Sequence, residues 1–330
     1  MICKRPNGIC QSWVSVPAVT KNALTAWYHA HRPFSYPASI VPVLVGTAVA
    51  WSDGHVFWDL FLVALLSSIA IHAGTNLVNE YFDYTQGVDR TDSLGPAGVI
   101  LRGELVPSHV LWAGVLAFTV GSALGGYLVL RVGWLILLIG VGSVFAGWFY
   151  TAKPLSLGYR GLGELEVFIF MGPVMVVGSY FVQTRSVNLT PLLVSLPVGL
   201  LVMAILHANN LRDVIQDDER SRVTWVVLAC RWLGFERGRK LSEALYCGMI
   251  VGAYIVLMIL VIVKVAPFYV LLALLTFPYA SSLMRFVNSG VEGNSLSRAV
   301  RDTARLHMMF GGTLALGYFF EVLLHLTWAF

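Results

Sequence analysis

Charge is scarce in this chain: Asp, Glu, Lys and Arg make up 12% of its 330 residues, against about a quarter in a soluble domain. A surface solvated by water on all sides is thereby excluded. Only four cysteines occur, Cys3, Cys10, Cys230 and Cys247, and no two share a close spacing, which argues against a zinc site or a disulfide framework. Residues 1–26 contain no continuous apolar run, so no cleaved signal peptide is expected. The net charge of +4 is spread over many loops; without a basic patch there is no case for a nucleic-acid partner. Segments of alternating polarity at barrel-strand length are also missing.

What the chain has instead is long apolar runs, with 57% of residues hydrophobic. Nine runs can be read, at about 36–52, 57–79, 108–130, 132–150, 165–183, 189–208, 243–263, 266–286 and 306–326. Each approaches the roughly 20 residues that cross a bilayer as a helix. Pro173 and Pro197 interrupt two of them, which neighbouring helices can accommodate in a membrane. The expected fold is all-α: a polytopic integral membrane protein with nine transmembrane helices around a central cavity. A short N-terminal segment, 1–26, precedes one transmembrane domain, 27–330. With nine spans, 19 of the 22 Lys and Arg fall on the side of the N-terminus. The excess of basic residues on cytoplasmic loops then places that side in the cytoplasm. The compact N-terminal segment points to a bacterial plasma membrane.

Two polar stretches end helices on that cytoplasmic side. In NLVNEYFDYTQGVD (76–89), Asn76, Asn79 and Asp83 recur at i, i+3 and i+7 along one helical face, and Gly87 permits a reversal that brings Asp89 back toward Asp83. In NNLRDVIQDDER (209–220), Asn210, Asp213 and Asp217 repeat the spacing. Asp218, adjacent to Asp217, is expected to point into solvent. Ionisable residues at membrane depth are costly and usually mark a functional site; solvated helix ends are the bland alternative, and the matched pair of motifs weighs against it. Carboxylates converging with amide oxygens suit Mg²⁺, a hard cation that bridges carboxylates to phosphates. Basic residues nearby (Arg90, Arg102, Lys153, Arg212, Arg222) could hold diphosphate oxygens. A diphosphate head beside an apolar bundle suggests an isoprenoid. His72 and His207 read as core histidines rather than ligands, and Glu164 as either a helix cap or a group orienting a second substrate.

These residues resemble the UbiA superfamily of intramembrane prenyltransferases, and within it the menaquinone branch of 1,4-dihydroxy-2-naphthoate prenyltransferases. The resemblance runs over residues 27–316. It rests on RPFSYPASIVPVLVG (32–46), on Asn79, Asp83 and Asp89 in the spacing N-x-x-x-D-x-x-x-x-x-D, on YTAKPLSLGYRGLGE (150–164), on FMGPVMVVGSYFVQ (170–183), and on NNLRD followed by Asp217. The chain departs from the family pattern at Glu80, where Asp is common in bacterial members, and in ILRGELVP (100–107). It also carries extra residues after Asp217, ahead of the family's basic position.

The resemblance implies Mg²⁺-assisted ionisation of an allylic polyprenyl diphosphate, followed by attack of a small aromatic acceptor, with membrane lipid as the surroundings. It assigns Asn79, Asp83, Asp89, Asp213 and Asp217 to the metal and to catalysis. Arg102, Lys153, Arg32, Asn76, Asn210 and Arg212 are assigned to the diphosphate, and the Tyr150 ring to the allylic cation. Other acceptors, or cyclisation of the prenyl diphosphate alone, stay open on these residues. A secondary transporter fits poorly, because its polar site is expected near the bilayer midplane.

Overall fold

The computed structural model describes residues 23–88 and 98–328. Every regular element among them is helical, with one isolated β-bridge between Arg160 and Val223. In chain order the helices are α1 (Ala23–His31), α2 (Pro37–Ser52), α3 (Trp58–Thr85), α4 (Pro107–Val132), α5 (Leu135–Phe149), α6 (Gly163–Ile169), α7 (Met175–Thr184), α8 (Leu189–Glu219), α9 (Trp225–Leu233), α10 (Phe235–Ile262), α11 (Phe277–Val287) and α12 (Ser297–Trp328). In hydrocarbon each backbone N–H and C=O must find its partner within the protein, which favours this outcome over irregular chain.

Each apolar run of the sequence becomes helix, but the count of nine crossings is not confirmed. Among the described residues, seven helices are long and apolar enough to span a membrane, and an eighth results if the pair Ala23–Ser35 and Pro37–Ser52, bent by 42°, is one span. The remaining run forms only the 15-residue Leu135–Phe149, short of the roughly 20 residues a bilayer needs. Gly133, at φ 126°, ends α4 and breaks the apolar run. Pro173 lies in a π-helical turn, Phe170–Val174, that joins α6 to α7 into one span. Pro197 sits inside the continuous α8.

Two helices outrun their apolar stretches, and this is what builds the polar end. α3 continues to Thr85 and α8 to Glu219, so both acidic motifs ride on helix. The main core packs α2, α7, α8, α10 and α12 together, around Val45, Leu201, Tyr246, Leu257 and Phe310. α3 packs along α4, and α2 lies against α7. Close approach of backbones supplies much of the attraction between helices in lipid. A Cβ on Gly46 would sit 2.3 Å from the Val176 carbonyl oxygen. Gly46→Val is therefore expected to destabilise the fold by about 3 kcal/mol, read as a lower thermal midpoint in detergent. An unchanged midpoint would show that the α2–α7 contact has slack.

Candidate active site

α3 and α8 bring their acidic faces to one cavity of about 760 Å³. Its walls are mostly apolar, and its polar end carries Asn76, Asn79, Asp83, Tyr150, Arg212, Asp213, Asp217, Arg220 and Arg222. Beside apolar walls, charges at this end interact more strongly than they would at a surface.

Asn79 and Asp83 are held from the loop after α5, and Asp213 by its neighbour on α8. Thr151 donates a 2.8 Å hydrogen bond to Asn79 Oδ1. The Tyr159 hydroxyl donates to Asp83 Oδ1. Arg212 grips Asp213 through two hydrogen bonds of 2.7 and 2.6 Å and donates a third, of 2.8 Å, to Asn209 Oδ1. Asp217 is 3.6 Å from Arg222. Its second oxygen, Oδ2, is buried with no hydrogen-bond partner among the described residues. An anionic oxygen left bare in a buried site costs free energy, so a cation is the natural complement.

The segment after Asp217 is held from the loop before α6, and this places Arg222. Gly161 N donates to Val223 O at 2.8 Å and Val223 N to Tyr159 O at 3.0 Å, while Trp225 Nε1 donates to Gly161 O at 2.9 Å. These bonds lace the loop between α5 and α6 onto the segment after α8. Arg222 is thereby set over the Tyr159 ring, 5.2 Å from its centroid, a cation–π arrangement. Burial opposes the charge on Arg222, but Asp217 first, then Tyr150 and Asp83, outweigh it and raise its pKa.

The other expected residues divide. Arg32 and Asn76 line the cavity. Arg32 also donates at 3.1 Å to Glu80, whose other carboxylate oxygen accepts from Val99 N at 2.6 Å. The fully buried Glu80 thus ties together three segments of chain. Arg102, Lys153 and Asn210 do not line the cavity. Arg102 donates to Glu104 at 2.6 Å, Lys153 is exposed, and Asn210 turns its amide to Glu164 at 2.8 Å. The motif repeat is therefore broken at its first position: Asn76 faces the cavity and Asn210 faces α6. Asp218 is 54% exposed and pairs with Arg231, as expected. His207 Nε2 donates to Ser242 O at 3.0 Å, and its Nδ1 lies 3.6 Å from Glu164 Oε1, so both ring nitrogens face the protein interior. Gly87 makes its turn at φ 69°, with Val88 N donating to Asp83 O; Asp89 and Arg90 lie outside the described residues. Sequence reasoning missed Thr151 and Tyr159, a loop hydroxyl and a loop phenol with no periodic signal, and it missed Arg220.

No cluster of three or more His, Cys, Asp or Glu side chains is arranged to hold a metal among the described residues. The donor set still fits a hard cation in part. Asp83, Asp213, Asp217 and Asn79 offer oxygen only, and a carboxylate has about four lone-pair sites, so a hydrogen bond to one oxygen leaves others open. Mg²⁺ typically takes one or two carboxylates and completes its shell with water and substrate phosphate.

Residues 39–328 match the model of the UbiA prenyltransferase family. The chain belongs to that family. It is accordingly a prenyltransferase, an assignment the named relatives share. The 1,4-dihydroxy-2-naphthoate octaprenyltransferase of Bacillus subtilis is 34% identical over 287 residues, 87% of this chain and 89% of that one. The enzyme of the same name from Mycobacterium tuberculosis is 33% identical, covering 88% of this chain and 97% of that one. Among solved structures, a UbiA homologue from Archaeoglobus fulgidus bound to DMAPP and Mg²⁺ superposes with a TM-score of 0.53 at 15% identity, over 88% of this chain and 99% of that one. At that identity the likeness speaks for the UbiA fold.

Proposed function

We propose that this UbiA-family protein transfers a polyprenyl group from an allylic diphosphate to 1,4-dihydroxy-2-naphthoate, with Mg²⁺. The observation that carries the reading is one cavity with two chemistries: an apolar body for a hydrocarbon chain, and an end where carboxylates and arginines alternate. Relatives named for this acceptor and a homologue named with Mg²⁺ support the substrate and the metal.

Asn79, Asp83, Asp213 and Asp217 would hold the metal, with Asp89 joining them. When bound, Mg²⁺ offsets diphosphate charge and polarises the leaving oxygen. Arg212, Arg220 and Arg222 bind the diphosphate and stabilise it as negative charge builds on departure. Arg32 and Asn76 flank them at the same end. The Tyr150 ring faces the allylic carbon, where its π-electrons favour positive charge. The apolar walls keep water from the cation, so the acceptor ring is the nucleophile within reach. A carbon–carbon bond then forms at the ring carbon bearing the carboxylate, which leaves as CO₂. The same reading takes Leu135–Phe149 as a ninth crossing and puts the polar end at the cytoplasmic face, where basic residues concentrate.

Purified protein given Mg²⁺, geranylgeranyl diphosphate and the naphthoate is expected to yield a prenylated, decarboxylated naphthoquinol by mass spectrometry. Chelation should stop the reaction and added Mg²⁺ restore it. Diphosphate release without a naphthoate product would instead move the search to other acceptors or to cyclisation.

A further inference from the structure

A second polar group lies in the same cavity, adjoining the polar end at Asn76. His72, Ser35, Ser39 and Asn76 all line it. Ser39 Oγ is 2.7 Å from His72 Nδ1, and Ser35 Oγ is 3.1 Å from His72 Nε2. Ser35 Oγ also donates to Arg32 O at 2.8 Å, and Asn76 Nδ2 donates to His31 O at 2.9 Å and to Ser35 Oγ at 3.3 Å.

These contacts fix every proton. A hydroxyl has one hydrogen and two lone pairs. Ser35 gives its hydrogen to Arg32 O, so it accepts from both Asn76 and His72, and His72 carries its proton on Nε2. Nδ1 is then an acceptor, and Ser39 donates to it. The imidazole is neutral, with both nitrogens in use. What remains for a ligand is acceptor capacity alone: the lone pairs of Ser39 Oγ and the Oδ1 of Asn76, whose amide hydrogens are already committed. Such a face recognises O–H and rejects carboxylate.

His72, Asn76, Asn79 and Asp83 follow at helical spacing on one face of α3. From Asn76 to Asn79 the rise is about 4.5 Å, so a ring hydroxyl held by Ser39 and Asn76 sets its aromatic ring beside the acidic end. We infer that Ser39 and Asn76 form the binding site for a ring hydroxyl of the aromatic acceptor, with His72 as the positioning residue that holds Ser39 in its donor state. This rests on the reading of the protein as a hydroxyarene prenyltransferase. It assigns the neutral histidine a task beyond packing: setting which way the acceptor ring lies against the allylic carbon.

The test uses the full-length enzyme, geranylgeranyl diphosphate, and the naphthoate beside its two mono-O-methyl ethers. Ser39→Ala should raise the acceptor KM about tenfold, the scale of one hydrogen bond. The donor KM, and diphosphate release without acceptor, should stay unchanged. One methyl ether should show a similar penalty on the wild type and no further penalty on Ser39→Ala. His72→Phe should reproduce the acceptor defect, and His72→Gln, which keeps an acceptor and a donor, should restore part of it. Acceptor and donor KM moving together, or equal ether penalties in both proteins, would overturn the inference and leave the cluster as a brace between α2 and α3. Normal prenylation that ignores Ser39 refutes this inference alone, whereas a wild type that ionises the donor yet prenylates no hydroxyarene refutes the acceptor reading and this site together.

Discussion

Asp217→Asn lowers kcat for prenyl transfer by on the order of 10²–10³, the scale of removing one preorganised charge from a water-poor site. The side chain keeps its shape, so the helix and its packing persist. Two things change. The bare Oδ2 is replaced by a group that binds a hard cation weakly or not at all, and the negative partner of Arg222 is lost. The mark of a metal role is therefore a higher Mg²⁺ concentration for half-maximal activity. Titrating Mg²⁺ against initial rate in wild type and variant separates the outcomes: a parallel loss with an unmoved Mg²⁺ midpoint would count against Asp217 as a ligand.

Arg222→Met is the complementary change and has the larger effect on the fold. The paired side chains are 13% and 3% exposed, so the ion pair is buried. Breaking one by removing a single partner costs about 3–5 kcal/mol, because a charge is left uncompensated. Thermal unfolding should register that loss. Under the proposed roles, in which Arg222 binds diphosphate rather than metal, activity should fall through the donor, with its KM rising steeply while the Mg²⁺ midpoint stays in place. Adding Asp217→Asn to Arg222→Met should then cost less stability than the two single changes summed, as residues that share one pair are not additive. Additive losses would mean that the two side chains act independently.

Much of this was legible in the sequence where periodicity carries the signal. Asn79, Asp83, Asp213 and Asp217 were found because a helical face repeats every three to four residues, and both helices do continue through the motifs. Periodicity says nothing about what stands opposite a face. Asn210 satisfied the spacing and yet pairs with Glu164, a partner 46 positions away. Arg222 was one of five basic candidates for the diphosphate, and the sequence did not single it out, because its position at the cavity depends on hydrogen bonds between residues 159–161 and 223–225. Lys153 and Arg102 shared the basic character expected of diphosphate contacts, but neither lines the cavity. The count of nine crossings is not confirmed for a simpler reason: the helix of the 132–150 run begins only after Gly133 and is 15 residues long, which apolar composition alone does not show.

The tie at Glu80 also bears on the order in which the protein is made. Arg32, Glu80 and Val99, the three points it joins, all belong to the first third of the chain, so a ribosome delivers them before α8 exists. Chains tend to fold as they are synthesised, from the N-terminal side. The arm bearing Asn79 and Asp83 can thus be braced early, and the arm bearing Asp213 and Asp217 then docks against a partner already set in place.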